Sequence, residues 1–299
     1  MPQSKTIVVI ILCLLPVHFA LSSTDTEIIV QHGKASEIKD PEIDRPECAA
    51  PVVGIDQGRL CGLREKLPGG RTVDAYLGIP YAEPAGGQNR WRPPVPHKGW
   101  KGLFKATYPG PSCPQTYLFP YDNPESEDCL SVNVWTPEVN AKKPRAVMVF
   151  IYGGYFLHGF SGDPLYDGSF VSARGDVVVV SMNYRLGALG YLAGLKDGKT
   201  GEEINGNYGL LDQILALEWV KENIRNFGGD PGKVTIYGES AGAMSVGIHL
   251  TASPRSAGLF RAAIMQSNPF GIPFKSLDEA RPAAVRFAER LGCREDDVP

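Results

Sequence analysis

Val234-Thr-Ile-Tyr-Gly238-Glu-Ser240-Ala-Gly242-Ala-Met-Ser-Val246 is the stretch that decides the fold of this chain. An apolar β-type run ends in a Gly-x-Ser-x-Gly pentapeptide, and small residues at helical spacing follow. That order predicts a strand, a sharp turn and a helix, with Ser240 under strain and its hydroxyl exposed at the top of a sheet. Glycines at 238 and 242 permit so tight a turn, because a Cβ at either place would strike the neighbouring strand or helix. Ser240 is the candidate nucleophile. The N–H of Ala241, the next residue, is a candidate donor to a developing oxyanion. Glu239 flanks the serine and is read as a supporting neighbour, outside the reacting set.

The surroundings agree. Ala146-Val-Met-Val-Phe-Ile151 and Val177-Val-Val-Val-Ser181 are unbroken apolar runs, as expected of parallel strands buried on both faces. Val234 to Tyr237 and Ala262 to Met265 complete that set. Between them, Leu211, Ile214, Leu215, Leu217, Val220, Ile224 and Phe227 recur at helical spacing and predict a helix over 210–227. Strands alternating with helices imply an α/β fold with a doubly wound, mostly parallel sheet. Nearer the N-terminus, Val52 to Ile55, Gly58 to Leu63, Val73 to Leu77 and Leu130 to Trp135 lie between Gly and Pro turns. The first three predict short antiparallel strands, and Leu130 to Trp135 alternates as a strand.

The chain has 299 residues, enough for one large α/β domain or two small ones. Its net charge is −3, without the clustered Lys/Arg excess that marks a nucleic-acid partner. Lys5, the apolar run Ile7 to Leu15, Pro16, and the small residues Ala20, Ser22 and Ser23 predict an export leader over 1–23. That run falls short of the roughly 20 residues that span a bilayer, so no stable membrane span is expected after leader removal. Residues 24–50 read as a polar linker and 51–299 as the folded domain. No Cys or His spacing suits a metal, and neither metal nor cofactor is expected.

Acyl transfer needs a nucleophile, a base, an orienting acid and oxyanion donors. Phe150-Ile-Tyr-Gly153-Gly154-Tyr155 leaves the first buried strand and is the candidate oxyanion loop, with donors at Gly153, Gly154 and Tyr155. Gly194-Leu-Lys-Asp-Gly198-Lys199-Thr200 is one residue short of a phosphate-binding loop and reads as a charged surface loop. The base is missing. His18 lies in the leader, His32 in the linker and His97 in a Pro-rich loop. His158 follows the glycine loop. Downstream of Ser240 the only histidine is His249, about 13 Å along the helix axis and out of hydrogen-bond reach.

Several longer stretches resemble the type-B carboxylesterases, a family that includes the cholinesterases. They are Tyr76-Leu-Gly-Ile-Pro-Tyr-Ala-Glu-Pro84, Glu127-Asp-Cys-Leu-Ser-Val-Asn-Val-Trp135, Asn183-Tyr-Arg-Leu-Gly-Ala-Leu-Gly-Tyr-Leu192, Gly206-Asn-Tyr-Gly-Leu-Leu-Asp-Gln213 and Asn226-Phe-Gly-Gly-Asp-Pro231. With Gly238-Glu-Ser-Ala-Gly242 they cover the chain from about Val52 onward. The resemblance implies an α/β-hydrolase fold and an acyl-serine intermediate at Ser240. It also implies oxyanion donors at Gly154, Tyr155 and Ala241, and a small-molecule carboxylic ester as substrate. Tyr155 departs from the family's usual small residue, and its side chain is expected to narrow the acyl pocket. A Cys113–Cys129 disulfide and ion pairs Arg185–Asp212 and Arg90–Glu127 are implied as well. Cys48 and Cys61 flank the first strand and suit a second staple, leaving Cys293 free. The family's acid and histidine lie beyond the residues matched, so the chain resembles an esterase cut short. Two functions follow: a serine esterase that is secreted or periplasmic, or an inactive binding or adhesion protein on the same fold.

Overall fold

A computed structural model describes residues 7–11, 48–116, 123–198, 200–269 and 271–293. In chain order the first strands are β1 (Ile7–Ile11), β2 (Val53–Ile55), β3 (Gly58–Cys61), β4 (Leu63–Lys66), β5 (Thr72–Pro80), β6 (Leu103–Lys105) and β7 (Ser131–Thr136). Then come β8 (Arg145–Ile151), β9 (Val178–Met182), β10 (Ala193–Lys196), β11 (Glu203–Asn205), β12 (Gly229–Glu239) and β13 (Ala262–Gln266). The helices are α1 (Ser169–Gly175), α2 (Gly187–Tyr191), α3 (Tyr208–Asn223), α4 (Ala241–Thr251) and α5 (Leu277–Arg290).

The main sheet has eight strands in the order β1-β13-β12-β8-β9-β7-β5-β4. Neighbours from β1 to β9 are parallel, and those from β9 to β4 are antiparallel. β8, β9, β12 and β13 are the buried parallel strands expected, whereas β1 falls in the expected leader; the expected N-terminal strands appear as β2, β3, β5 and β7. All five residues of β9 are buried. Val178, Val180 and Met182 join the core beneath α3 and α4, with Val220 and Val246, whereas Val179 packs with Trp135 and Ala173 of α1. Helices on both faces leave no wet side, which is why the central strands are apolar at consecutive positions.

Two expectations need correcting in detail. The helix expected over 210–227 starts at Tyr208, is α-helical to Asn223, and tightens to a 3-10 turn over Ile224–Phe227. The single strand expected over 58–63 is two. β3 pairs with β2 and β6 in a small separate sheet, and β4 begins at Leu63 in the main sheet. Gly62 is the break: a Cβ there would stand 2.2 Å from the Ala75 carbonyl oxygen.

Ile7–Ile11, the centre of the expected leader, forms β1 in register with Ala262–Gln266. The expected cleavage region and residues 24–47 of the linker lie outside the described residues. Among the described residues no helix is long and apolar enough to cross a membrane.

Both disulfides are formed, Cys113–Cys129 and Cys48–Cys61, with Cα separations of 5.1 and 5.0 Å. Cys293 is a free thiol. Both expected ion pairs are also present. Arg90 Nε donates to Glu127 at 2.7 Å. Arg185 grips the fully buried Asp212 through Nε and Nη2 at 2.8 and 2.7 Å, tying the end of β9 to α3.

Candidate active site

β12 lies between β8 and β13, ends at Glu239, and passes through one residue into α4. That residue is Ser240, at φ +53° and ψ −119°. A residue with a Cβ holds such a conformation only where its surroundings dictate it. Here the Ser240 N–H donates to Gln266 O of β13 at 3.0 Å, and its carbonyl accepts from Met244 N at 2.9 Å. The flanking glycines are required by backbone contact. A Cβ on Gly238 would stand 2.5 Å from the Gly242 carbonyl, and one on Gly242 would stand 2.0 Å from Ile151 O.

The loop after β8 rests on this turn. A Cβ on Gly153 would lie 2.7 Å from Glu239 O and 3.1 Å from Ser240 Cβ. Gly154, Tyr155 and Phe156 then take φ values of +110°, +56° and +60°, so the chain coils back on itself. The Gly154 carbonyl accepts from Leu157 N at 2.9 Å and His158 N at 3.2 Å. It shares a peptide plane with the Tyr155 N–H, which is thereby held in direction. The Ser240 carbonyl, bonded to Met244, fixes the plane of the Ala241 N–H in the same way. In the first turn of a helix this N–H has no intrahelical acceptor, and the helix dipole adds positive potential there.

Glu239 leans over the loop: a Cβ on Gly153 would lie 2.8 Å from its Oε2. Desolvation raises its pKa above the ordinary carboxylate value. The Tyr155 side chain is 62% exposed, with its ring 6.4 Å from that of His158.

Among the described residues no histidine hydrogen-bonds Ser240. His249 is buried in α4 between Ser256 Oγ and Gln213 Oε1, each at 2.9 Å, and burial lowers its pKa to about 4. His158 stands against Gly154, its Nε2 is buried without a hydrogen-bond partner, and desolvation lowers its pKa. His97 Nδ1 accepts from Gly99 N. His18 and His32 lie outside the described residues. Gly194 to Lys196 lie in strand β10, and the segment continues toward the antiparallel β11 and opens no helix, unlike a phosphate-binding loop; Lys199 within it lies outside the described residues. No group of three or more His, Cys, Asp or Glu among the described residues is placed to hold a metal ion.

Sequence reasoning missed the partners of His249. Gln213 is 36 residues from His249 and 32 from Ser245, so no local pattern announces their contact.

A model of the carboxylesterase family matches residues 49–298. The acetylcholinesterase of Electrophorus electricus is 45% identical over 251 residues, covering 79% of this chain and 38% of that protein. The acetylcholinesterase of Danio rerio is 44% identical over 257 residues, covering 81% of this chain and 39% of that protein. The chain thus spans about two-fifths of the length of these relatives. A family match running from Cys48's neighbour almost to the last residue, over this sheet and this turn, leaves one assignment: the chain belongs to the carboxylesterase family and has its α/β-hydrolase fold.

Proposed function

We propose that this chain carries the nucleophile of a serine carboxylesterase, with Ser240 as the residue acylated by a small carboxylic ester. The observation that carries the reading is the conformation of Ser240, at φ +53° on the N-terminal end of α4 with the Gly153 loop against its Cβ. In the reaction, Ser240 Oγ attacks the ester carbonyl and loses its proton to a base. The carbonyl oxygen becomes an oxyanion and accepts from the N–H groups of the Gly153-Gly154-Tyr155 loop and of Ala241. Collapse expels the alcohol, and water then releases the acid. The general base is not among the described residues of this chain, and a hydroxyl without one is a weak nucleophile. The relatives' name makes acetyl esters the first substrates to test. Glu239 supports the loop from outside the reaction. Two disulfides fit an exported protein.

The second reading is an inactive binding protein of the same fold. Reaction of the full-length polypeptide with a fluorophosphonate, followed by peptide mass mapping, separates the two. The expected result is one adduct, on Ser240, abolished in Ser240→Ala. No adduct at all supports the binding protein; an adduct on another serine that survives Ser240→Ala overturns the assignment of Ser240.

A further inference from the structure

We propose that Gln213, Ser245 and His249 are positioning residues: they form a one-way hydrogen-bond chain that holds the first turn of α4, and with it the Ala241 amide, aimed at a substrate oxygen. This rests on the reading of Ser240 as the nucleophile.

Four contacts make the chain. Ser256 Oγ lies 2.9 Å from His249 Nδ1, and His249 Nε2 lies 2.9 Å from Gln213 Oε1. Gln213 Nε2 donates to Ser245 Oγ at 3.2 Å, and Ser245 Oγ donates to the Ala241 carbonyl at 3.1 Å. All four side chains are at most 3% exposed, so water does not compete for them. Gln213 sets the direction, since its Oε1 only accepts and its Nε2 only donates. His249 therefore carries its proton on Nε2, and its bare Nδ1 accepts from the Ser256 hydroxyl. Ser245 receives one hydrogen from Gln213 and passes its own to Ala241. Burial keeps the imidazole neutral, as this pattern requires. The chain crosses three elements: α3 supplies Gln213, α4 supplies Ser245 and His249, and the turn Pro254–Ser256 supplies the anchor. Met244 already holds the Ser240 carbonyl. With Ser245 on the next carbonyl, both peptide planes flanking the Ala241 Cα are fixed. Donors set before reaction need no reorganisation as charge develops. The opposite polarity would place the proton on Nδ1 of His249 and turn the Ser245 hydroxyl away from Ala241.

Two measurements on the full-length protein decide it. Nitrogen-15 NMR of labelled histidine should show His249 as the Nε2–H tautomer; an Nδ1–H tautomer overturns the proposal. Fluorophosphonate kinetics, split into the binding constant and the maximal inactivation rate, should show that rate about tenfold lower in Ser245→Ala and in His249→Leu, with binding within about twofold. His249→Gln, whose amide can donate and accept in the same two directions, should recover most of it. Wild-type rates in Ser245→Ala, or equal losses in His249→Leu and His249→Gln, overturn the proposal. Ser245→Ala removes one oxygen from a helix interior and is the variant that keeps the test open if His249→Leu does not fold. Should the wild-type protein fail to label at Ser240, the nucleophile assignment fails instead, and the NMR arm still reports on the chain's polarity.

Discussion

Tyr184 and Tyr152 clasp each other through their main chains. Tyr184 Oη donates to the Tyr152 carbonyl at 2.7 Å, Tyr152 Oη donates to the Tyr184 carbonyl at 3.3 Å, and the rings stack with centroids 4.4 Å apart. The Tyr152 carbonyl shares its peptide plane with the Gly153 N–H, so the clasp aims the start of the candidate oxyanion loop. Tyr184→Phe removes the donor from a buried carbonyl at nearly constant volume. It is expected to cost about 1–3 kcal/mol in denaturant unfolding and to slow phosphonylation of Ser240. Unchanged midpoint and rate would deny the clasp that role.

Gly153→Ala places a methyl group against Glu239 O and Ser240 Cβ. Main-chain atoms cannot move aside as the end of a flexible side chain can. The expected stability loss is about 1–3 kcal/mol. Ser240 labelling should fall by about 100-fold, because misplacement on the ångström scale is enough for such a loss. Full labelling of Gly153→Ala would show that the loop does not rest on the serine.

His249 ties stability to acidity. Burial lowers its pKa from 6.5 to about 4 in the folded protein, while the unfolded chain keeps an ordinary imidazole. Between these two values the unfolded state binds the extra proton, so stability falls as pH drops from about 6.5 to about 4 and levels off below. The full loss over that window is about 3 kcal/mol. His249→Gln lacks the titration and should give a flatter curve of urea midpoint against pH. Parallel curves for the two proteins would contradict the burial.

The Cys113–Cys129 bridge closes a loop with a sequence separation of 16. Cys129→Ala should lower unfolding stability by about 3 kcal/mol in the chain-entropy account. Non-reducing peptide mapping should recover Cys113 joined to Cys129 and Cys48 to Cys61, with Cys293 alkylated. Recovery of Cys113 as a free thiol would refute the pairing.

The parallel strands β8, β9, β12 and β13 are legible in the sequence because burial on two faces leaves little but apolar residues to choose from. The turn at Ser240 is legible because backbone contact at Gly238 and Gly242 admits no Cβ. α5 is missed although its start is written locally: the Ser276 hydroxyl accepts from Glu279 N, and the Glu279 carboxylate accepts from Ser276 N. That capping box was the signal to use. The break between β3 and β4 is hidden because Gly62 meets Ala75, a partner supplied by another strand. The chain through Gln213, Ser245 and His249 is illegible for the same reason, since its members meet only after α3 packs on α4.

Ser240 has a last consequence. Glycine enters φ +53°, ψ −119° freely, whereas serine stores about 1–3 kcal/mol of backbone strain there. Ser240→Gly should therefore melt higher than the parent while losing every trace of fluorophosphonate reactivity. A library of variants sorted for solubility would shed the hydroxyl, and the same library sorted for turnover would keep it. The two populations would part company at this one codon.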